Sequence, residues 1–159
     1  MKYDVFLFLR ARKLALECFE GVVDKAGKQY IGHCDAVADG AFAVAKALEL
    51  DDEICWVAKI AGMLHDVVED TELTADDIEA QFGALVAVVV DNVSKRPGEG
   101  RDLYFRRVFS HQLSMVVKFA DSNHNSQLNR IENPSAHMVK KCAGYAKFNS
   151  ILGEKLGLL

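Results

Sequence analysis

Apolar positions recur at spacings of three and four along most of this chain, and nowhere alternate at a period of two for long enough to build a sheet. From Asp4 to about Glu20, Val5, Phe8, Leu9, Leu14, Leu16 and Phe19 follow the helical period, with Arg10, Arg12, Lys13 and Glu17 between them and Asp4 placed to cap the helix. Gly21 to Gly32 has no clean period and carries Asp24, Lys25 and Lys28, which reads as a loop bearing positive charge. The next helix has Ala36, Val37, Ala41, Val44, Ala45 and Leu48 on its apolar face, and His33 lies at or just before its start. Asp51 and Asp52 suit the opening of a third helix that ends in His65-Asp66. Thr74-Ala75-Asp76-Asp77 has the form of a capping box, with Asp in the place of Glu, and starts a short helix that stops near Phe82-Gly83. Ala84 to Val93 forms a further apolar helix, Lys95 to Arg101 a loop with Pro97, Gly98 and Gly100, and Asp102 to about His111 another helix. Asn133-Pro134-Ser135 breaks the chain and caps a last helix from about Ala136 to Ser150. The pattern predicts an all-α helical bundle of about seven to nine helices. At 159 residues, half of them apolar, the chain has enough for one core and too little for two, so residues 1–159 are read as a single domain.

Two places break the rule that apolar runs stay apolar. Trp56 to Met63 is apolar on nearly every side, as in a helix buried within a bundle, yet it runs directly into Leu64-His65-Asp66-Val67-Val68-Glu69-Asp70-Thr71. Buried carboxylates are rare unless paired or bound to metal. At helical spacing Glu69 follows His65 by one turn and Asp70 follows Asp66, giving two stacked pairs on adjacent faces. A divalent cation on His65 and Asp66, with Glu69 and Asp70 reaching over it, would let three close carboxylates coexist. The plainer reading is a solvated helix end, although acids at a helix C-terminus oppose the macrodipole. The second place is Met115 to Asn125, where Val116-Val117-Lys118-Phe119-Ala120 ends in Asp121 and Asn125 lies one turn beyond it. Taken alone, Asp121 reads equally well as the start of a polar helix end, and a lone histidine such as His33 is more often a surface residue than a ligand.

Composition narrows the function classes. A net charge of −4 argues against a nucleic-acid-binding surface, while leaving room for a local basic pocket for a small anion. The four cysteines, Cys18, Cys34, Cys55 and Cys142, are scattered without a Cys-x-x-Cys pair and read as reduced thiols of a cytoplasmic protein. No segment reads as a signal peptide or as a membrane span, so no membrane partner is expected. His111, His124 and His137 read as ordinary surface or core histidines, and the oligomeric state is not legible.

An early His, a His-Asp pair ending a buried helix and a late Asp after Val-Lys-x-Ala together resemble the HD-domain metal-dependent phosphohydrolases. His65-Asp66-Val67-Val68-Glu69-Asp70-Thr71, Tyr30-Ile31-x-His33, Phe82-Gly83 and Lys118-Phe119-Ala120-Asp121 with Asn125 narrow the likeness to the hydrolase domain of the RelA/SpoT family, and to its small stand-alone members. The resemblance spans about residue 14 to residue 150. It implies His33, His65, Asp66 and Asp121 as ligands of one Mn²⁺, and Glu69 and Asp70 as the pair that positions and deprotonates the attacking water. It also implies Lys25 and Asn125 as contacts to a nucleotide substrate, Lys25 through phosphate oxygens and Asn125 through the nucleoside. The implied reaction is removal of the 3′-pyrophosphate of (p)ppGpp. Departures fall at Asp24, where the family carries Arg, and at Phe19, Cys34, Ser122-Asn123 and Leu128, all expected to alter base, ribose or phosphate recognition. An acid at 24 would repel phosphates, which keeps open a different nucleotide, or a metal-stabilised module that binds without turnover.

Overall fold

The computed structural model describes residues 1–159, in nine α-helices and a single 3₁₀ turn. The helices are α1 (Val5–Cys18), α2 (Ile31–Ala47), α3 (Asp52–Leu64), α4 (Val67–Asp70), α5 (Ala75–Phe82), α6 (Ala84–Val93), α7 (Arg101–Phe109), α8 (Gln112–Ser126) and α9 (Ala136–Leu156); the 3₁₀ turn is Leu128–Arg130. The caps lie where the sequence puts them. Asp4 accepts from the amides of Phe6 and Leu7. Thr74 and Asp77 form a reciprocal capping box, and Ser135 accepts from the Met138 amide.

Helix α3 is the axis of the core. Cys55, Val57, Ala58, Ile60, Ala61, Met63 and Leu64 are all wholly buried, because α1, α2, α6 and α8 surround it. Small residues set how closely the neighbours approach. A Cβ on Gly62 would lie 3.0 Å from the Ala38 Cα and 3.1 Å from the Val37 carbonyl, so α2 and α3 meet almost backbone to backbone. Gly40 does the same for α2 and α8, where its Cβ would sit 3.1 Å from that of Ala120. These two contacts bring residues from three helices to one point.

Two boundaries differ from expectation. The last helix continues to Leu156, six residues past Ser150, because Leu152, Gly153 and Leu156 are buried; it stops where Gly157 takes the left-handed conformation at φ 71°. The helix carrying the acidic stretch is not continuous either. α3 ends at Leu64, His65-Asp66 form a turn with Asp66 at φ −104° and ψ −2°, and α4 is one turn long. The Asp70 amide still bonds the Asp66 carbonyl at 2.9 Å, so Asp66 and Asp70 stay one turn apart, while the imidazole and carboxylate of the turn face α2 and α8. A satellite cluster of Tyr104, Val108, Phe148 and Leu152 joins α7 to α9 beside the main core. No helix is long and apolar enough to cross a membrane.

Candidate metal centre and active-site cleft

His33 from the first turn of α2, His65 from the end of α3 and Asp121 from the middle of α8 converge, each offering one ligand atom within 4.8 Å of the others. All three are buried. His65 Nδ1 lies 2.8 Å from the Gly62 carbonyl, an acceptor only, so that nitrogen is the donor and Nε2 faces inward. There it meets His33 Nε2 at 3.2 Å, Asp66 Oδ2 at 2.8 Å and Asp121 Oδ1 at 3.8 Å. His33 Nε2 is 3.4 Å from Asp121 Oδ1 and 3.9 Å from Asp66 Oδ2. Two imidazole nitrogens and two carboxylates aimed at one buried point repel unless something positive lies between them, and this nitrogen and oxygen donor set suits a divalent transition metal. Without a metal a proton does part of that work. Burial opposes charge on His65, but Asp66 and Asp121 outweigh it and raise its pKa to about 9. Burial likewise opposes charge on Asp66, yet His65 and the Tyr30 hydroxyl bring it down to about 2.

Each donor is held from behind. The Tyr30 hydroxyl donates to Asp66 Oδ2. Lys118 donates to Asp121 Oδ2 at 2.7 Å and, against the cost of burial, holds that carboxyl well below the ordinary range together with the two imidazoles. Asn125 donates to Asp121 Oδ1 and accepts from Lys25 Nζ at 2.6 Å, which ties the loop before α2 to the centre. His124 Nδ1 stands 2.7 Å from His33 Nδ1, and the Arg130 guanidinium reaches the His124 carbonyl at 3.1 Å. Burial, followed by His33 and Arg130, lowers the His124 pKa to about 4, so it is neutral at pH 7. His124 is therefore no ordinary surface or core histidine. Its signal in the sequence is its place one turn after Asp121, and Tyr30 and Lys118 sit inside the motifs that hold His33 and Asp121.

The centre opens into a cleft of about 300 Å³, where Glu69, Asp70, Lys25 and Asn125 all stand on the lining. Glu69 accepts the Lys95 amide at 2.8 Å and lies 3.9 Å from Lys95 Nζ. Burial, then the charges of Asp66 and Glu69, raise the Asp70 pKa from its ordinary value. Burial and the neighbouring Lys141 lower that of Lys25. Five lining cations, Lys25, Lys95, Lys118, Arg130 and Lys141, gather here in a chain of net charge −4.

The residues at which the chain departs from the family divide sharply. Asp24 lines the cleft. Its carboxylate accepts from Arg130 and from the amides of Ala26 and Lys28, so it is not the bare repelling acid expected from sequence. Phe19 and Cys34 are core residues, Ser122 is fully buried with its hydroxyl unpaired, and Asn123 and Leu128 lie outside the cleft lining. Four of the five expected changes in recognition thus do not reach the cleft.

Comparisons with known proteins follow the same lines. Residues 11–100 match the family described as the HD domain. A guanosine-3′,5′-bis(diphosphate) 3′-pyrophosphohydrolase of Haemophilus influenzae is 35% identical over 123 residues, covering 70% of this chain and 17% of that protein. The bifunctional (p)ppGpp synthase/hydrolase SpoT of Escherichia coli K12 is 32% identical over 127 residues, 73% of this chain and again 17% of its own length. The chain thus spans about a sixth of these relatives. Among solved structures, one described as a metazoan ortholog of SpoT that hydrolyzes ppGpp superposes with a TM-score of 0.72 at 21% identity, covering 98% of this chain and 88% of the other; it shares the fold.

Proposed function

This chain belongs to the HD-domain family, and on that footing we propose that it is a Mn²⁺-dependent phosphohydrolase of the SpoT-like class, acting in the cytoplasm on (p)ppGpp to remove its 3′-pyrophosphate. One observation carries the reading: His33, His65, Asp66 and Asp121 point at one buried spot, and that spot forms the floor of a cleft rimmed by Glu69, Asp70 and five cations. The relatives named for this activity support the choice of substrate.

When bound, the ion lowers the pKa of water and offsets charge on the phosphoryl oxygens. The chain supplies the rest. Lys25 and the cations across the cleft hold the phosphates as point charges and fix the scissile ester over the centre. Asp70, with a raised pKa and no hydrogen-bond partner of its own, takes a proton from the attacking water, while Glu69, fixed by the Lys95 amide, orients that water. The water oxygen joins phosphorus, the phosphorus–oxygen bond to the sugar breaks, and the sugar oxygen leaves with a proton. Asn125, bridging Asp121 and Lys25, positions the nucleoside side of the cleft.

A different nucleotide is the second reading. It is favoured by Asp24, which stands in the loop before α2 where the resemblance implies an Arg and pairs instead with Arg130 of the 3₁₀ turn, so that loop offers no guanidinium. The test is phosphate or pyrophosphate release by Mn²⁺-loaded protein over a nucleotide panel that includes ppGpp, with Asp66→Ala as control. Control-sensitive cleavage of ppGpp upholds the first reading. Cleavage of another nucleotide upholds the second, and binding without cleavage of any leaves a non-catalytic module.

A further inference from the structure

Helix α1 is apolar on two opposite faces. Leu7, Ala11 and Ala15 are buried in the core, chiefly against α3. On the far side Phe6 is 74% exposed, Leu9 54% and Leu16 42%, with Val5 beside them. Together with Lys2, Lys13 and Glu20 these residues form one stripe, Lys2-Phe6-Leu9-Lys13-Leu16-Glu20, spaced alternately by four and three residues. That is the repeat by which two helices pack side by side. A contiguous apolar stripe left in water on a helix already docked by its other face marks a contact surface.

The two ends of the stripe differ in shape. Phe6 projects near the start of α1, whereas a groove of about 370 Å³ lies at its end, with Leu16, Phe19, Val22 and Ile31 supplying the apolar wall. They differ in charge as well, since Lys2 stands at one end and Glu20 at the other, both exposed. A second copy of α1 laid antiparallel, with a two-fold axis crossing the stripe between Leu9 and Lys13, matches both differences. Phe6 then stands opposite Leu16 of the second copy, Lys2 opposite Glu20, and Leu9 opposite the stem of Lys13, whose ammonium stays 3.8 Å from Glu17 of its own chain. A parallel pair would set Lys2, Lys13 and Glu20 each against its own copy, with like charges facing.

We propose that this face of α1 joins two copies of the chain as an antiparallel, two-fold dimer in which each Phe6 seats in the other copy's groove. The interface is isologous, so every contact is made twice. One helix face per chain is a small interface, and the dimer is a weak one in exchange with monomer.

The test is sedimentation equilibrium of the full chain from micromolar to submillimolar concentration. The wild-type mass is expected to rise from one chain toward two and no further. Phe6→Glu is expected to weaken association at least tenfold without lowering Tm, because the side chain it replaces touches solvent and not the core. Glu20→Lys is expected to weaken association about threefold, an exposed ion pair being lost at both ends of the interface, and Lys2→Glu added to it is expected to restore the wild-type value. A chain that stays monomeric throughout would overturn the proposal, as would growth beyond two chains or a dimer indifferent to Phe6→Glu. Failure of the charge exchange to restore what Glu20→Lys removes would overturn the antiparallel register and the proposal with it.

Discussion

The metal centre and the substrate rim occupy the same cleft but are built by opposite means. The centre draws on α2, α3 and α8, three helices pressed together through Gly62 and Gly40, and its donors are buried and braced by Tyr30, Lys118 and His124. The rim draws on the loop before α2, the loop before α7, the 3₁₀ turn and α9, with long, half-exposed cations that answer to one another at a distance. Rigid packing suits a task in which an ångström matters, namely holding a cation and aiming water. Loops and long side chains suit recognition, since they can change while the scaffold that positions them stays fixed.

That contrast predicts a graded response. Asp66→Ala should abolish activity and metal together, read as metal content after gel filtration and as nucleotide turnover. Glu69→Gln should keep the metal and lose about 10²–10⁴-fold in rate, the usual contribution of a positioned acid or base, because Asp70 takes a proton only from the water that Glu69 orients; loss of metal in this variant would erase the division between ligands and water-handling carboxylates. The pH profile tests the same division. Burial, Asp66 and Glu69 keep the proton on Asp70 to higher pH than on an ordinary aspartate, so the fraction able to accept a proton falls as pH drops. The acid limb of the pH–rate profile should lie above the ordinary aspartate range, and Asp70→Asn should remove it along with most of the rate.

Smaller effects separate the braces from the rim. Tyr30→Phe and His124→Ala each remove a group that holds a donor in place, and should weaken metal binding by about 10–100-fold, as supporting contacts do elsewhere, measured by competition with a chelator. If neither moves metal affinity, the centre is not braced as described. Arg130→Ala removes one cleft cation and takes from Asp24 its guanidinium partner, and should raise KM by roughly two- to fivefold with kcat kept, the scale of a partly exposed ion pair; Asp24→Ala added to it should recover part of that rise. Last, Thr74→Ala breaks a capping box remote from the cleft and should cost about 1 kcal/mol in chemical denaturation without altering KM or metal content.

The helices and their caps could be read along the chain because periodicity, capping residues and breakers are local. Asp4, Thr74 and Ser135 cap where their side chains say they should. His65-Asp66-x-x-Glu69-Asp70 was visible for the same reason: ionisable groups follow an apolar run in one short window. The end of α9 was less visible, since Leu152 and Leu156 continue a helix only because α7 and α8 offer them cover.

The sequence by itself determined an all-α chain and the chemistry of the donor set, since both follow from residue types at local spacings. Only the tertiary structure decided that His33 and Asp121, 88 positions apart by their own numbers, meet at His65. It also decided that Asp24 is answered by Arg130 across the cleft, and that Ser122 and Phe19 face the core instead of a ligand. The physical reason is one of range. Helix formation and capping act over a few residues, whereas burial, pairing of charge and the walls of a cavity depend on which faces pack together, and that is settled by the whole core at once.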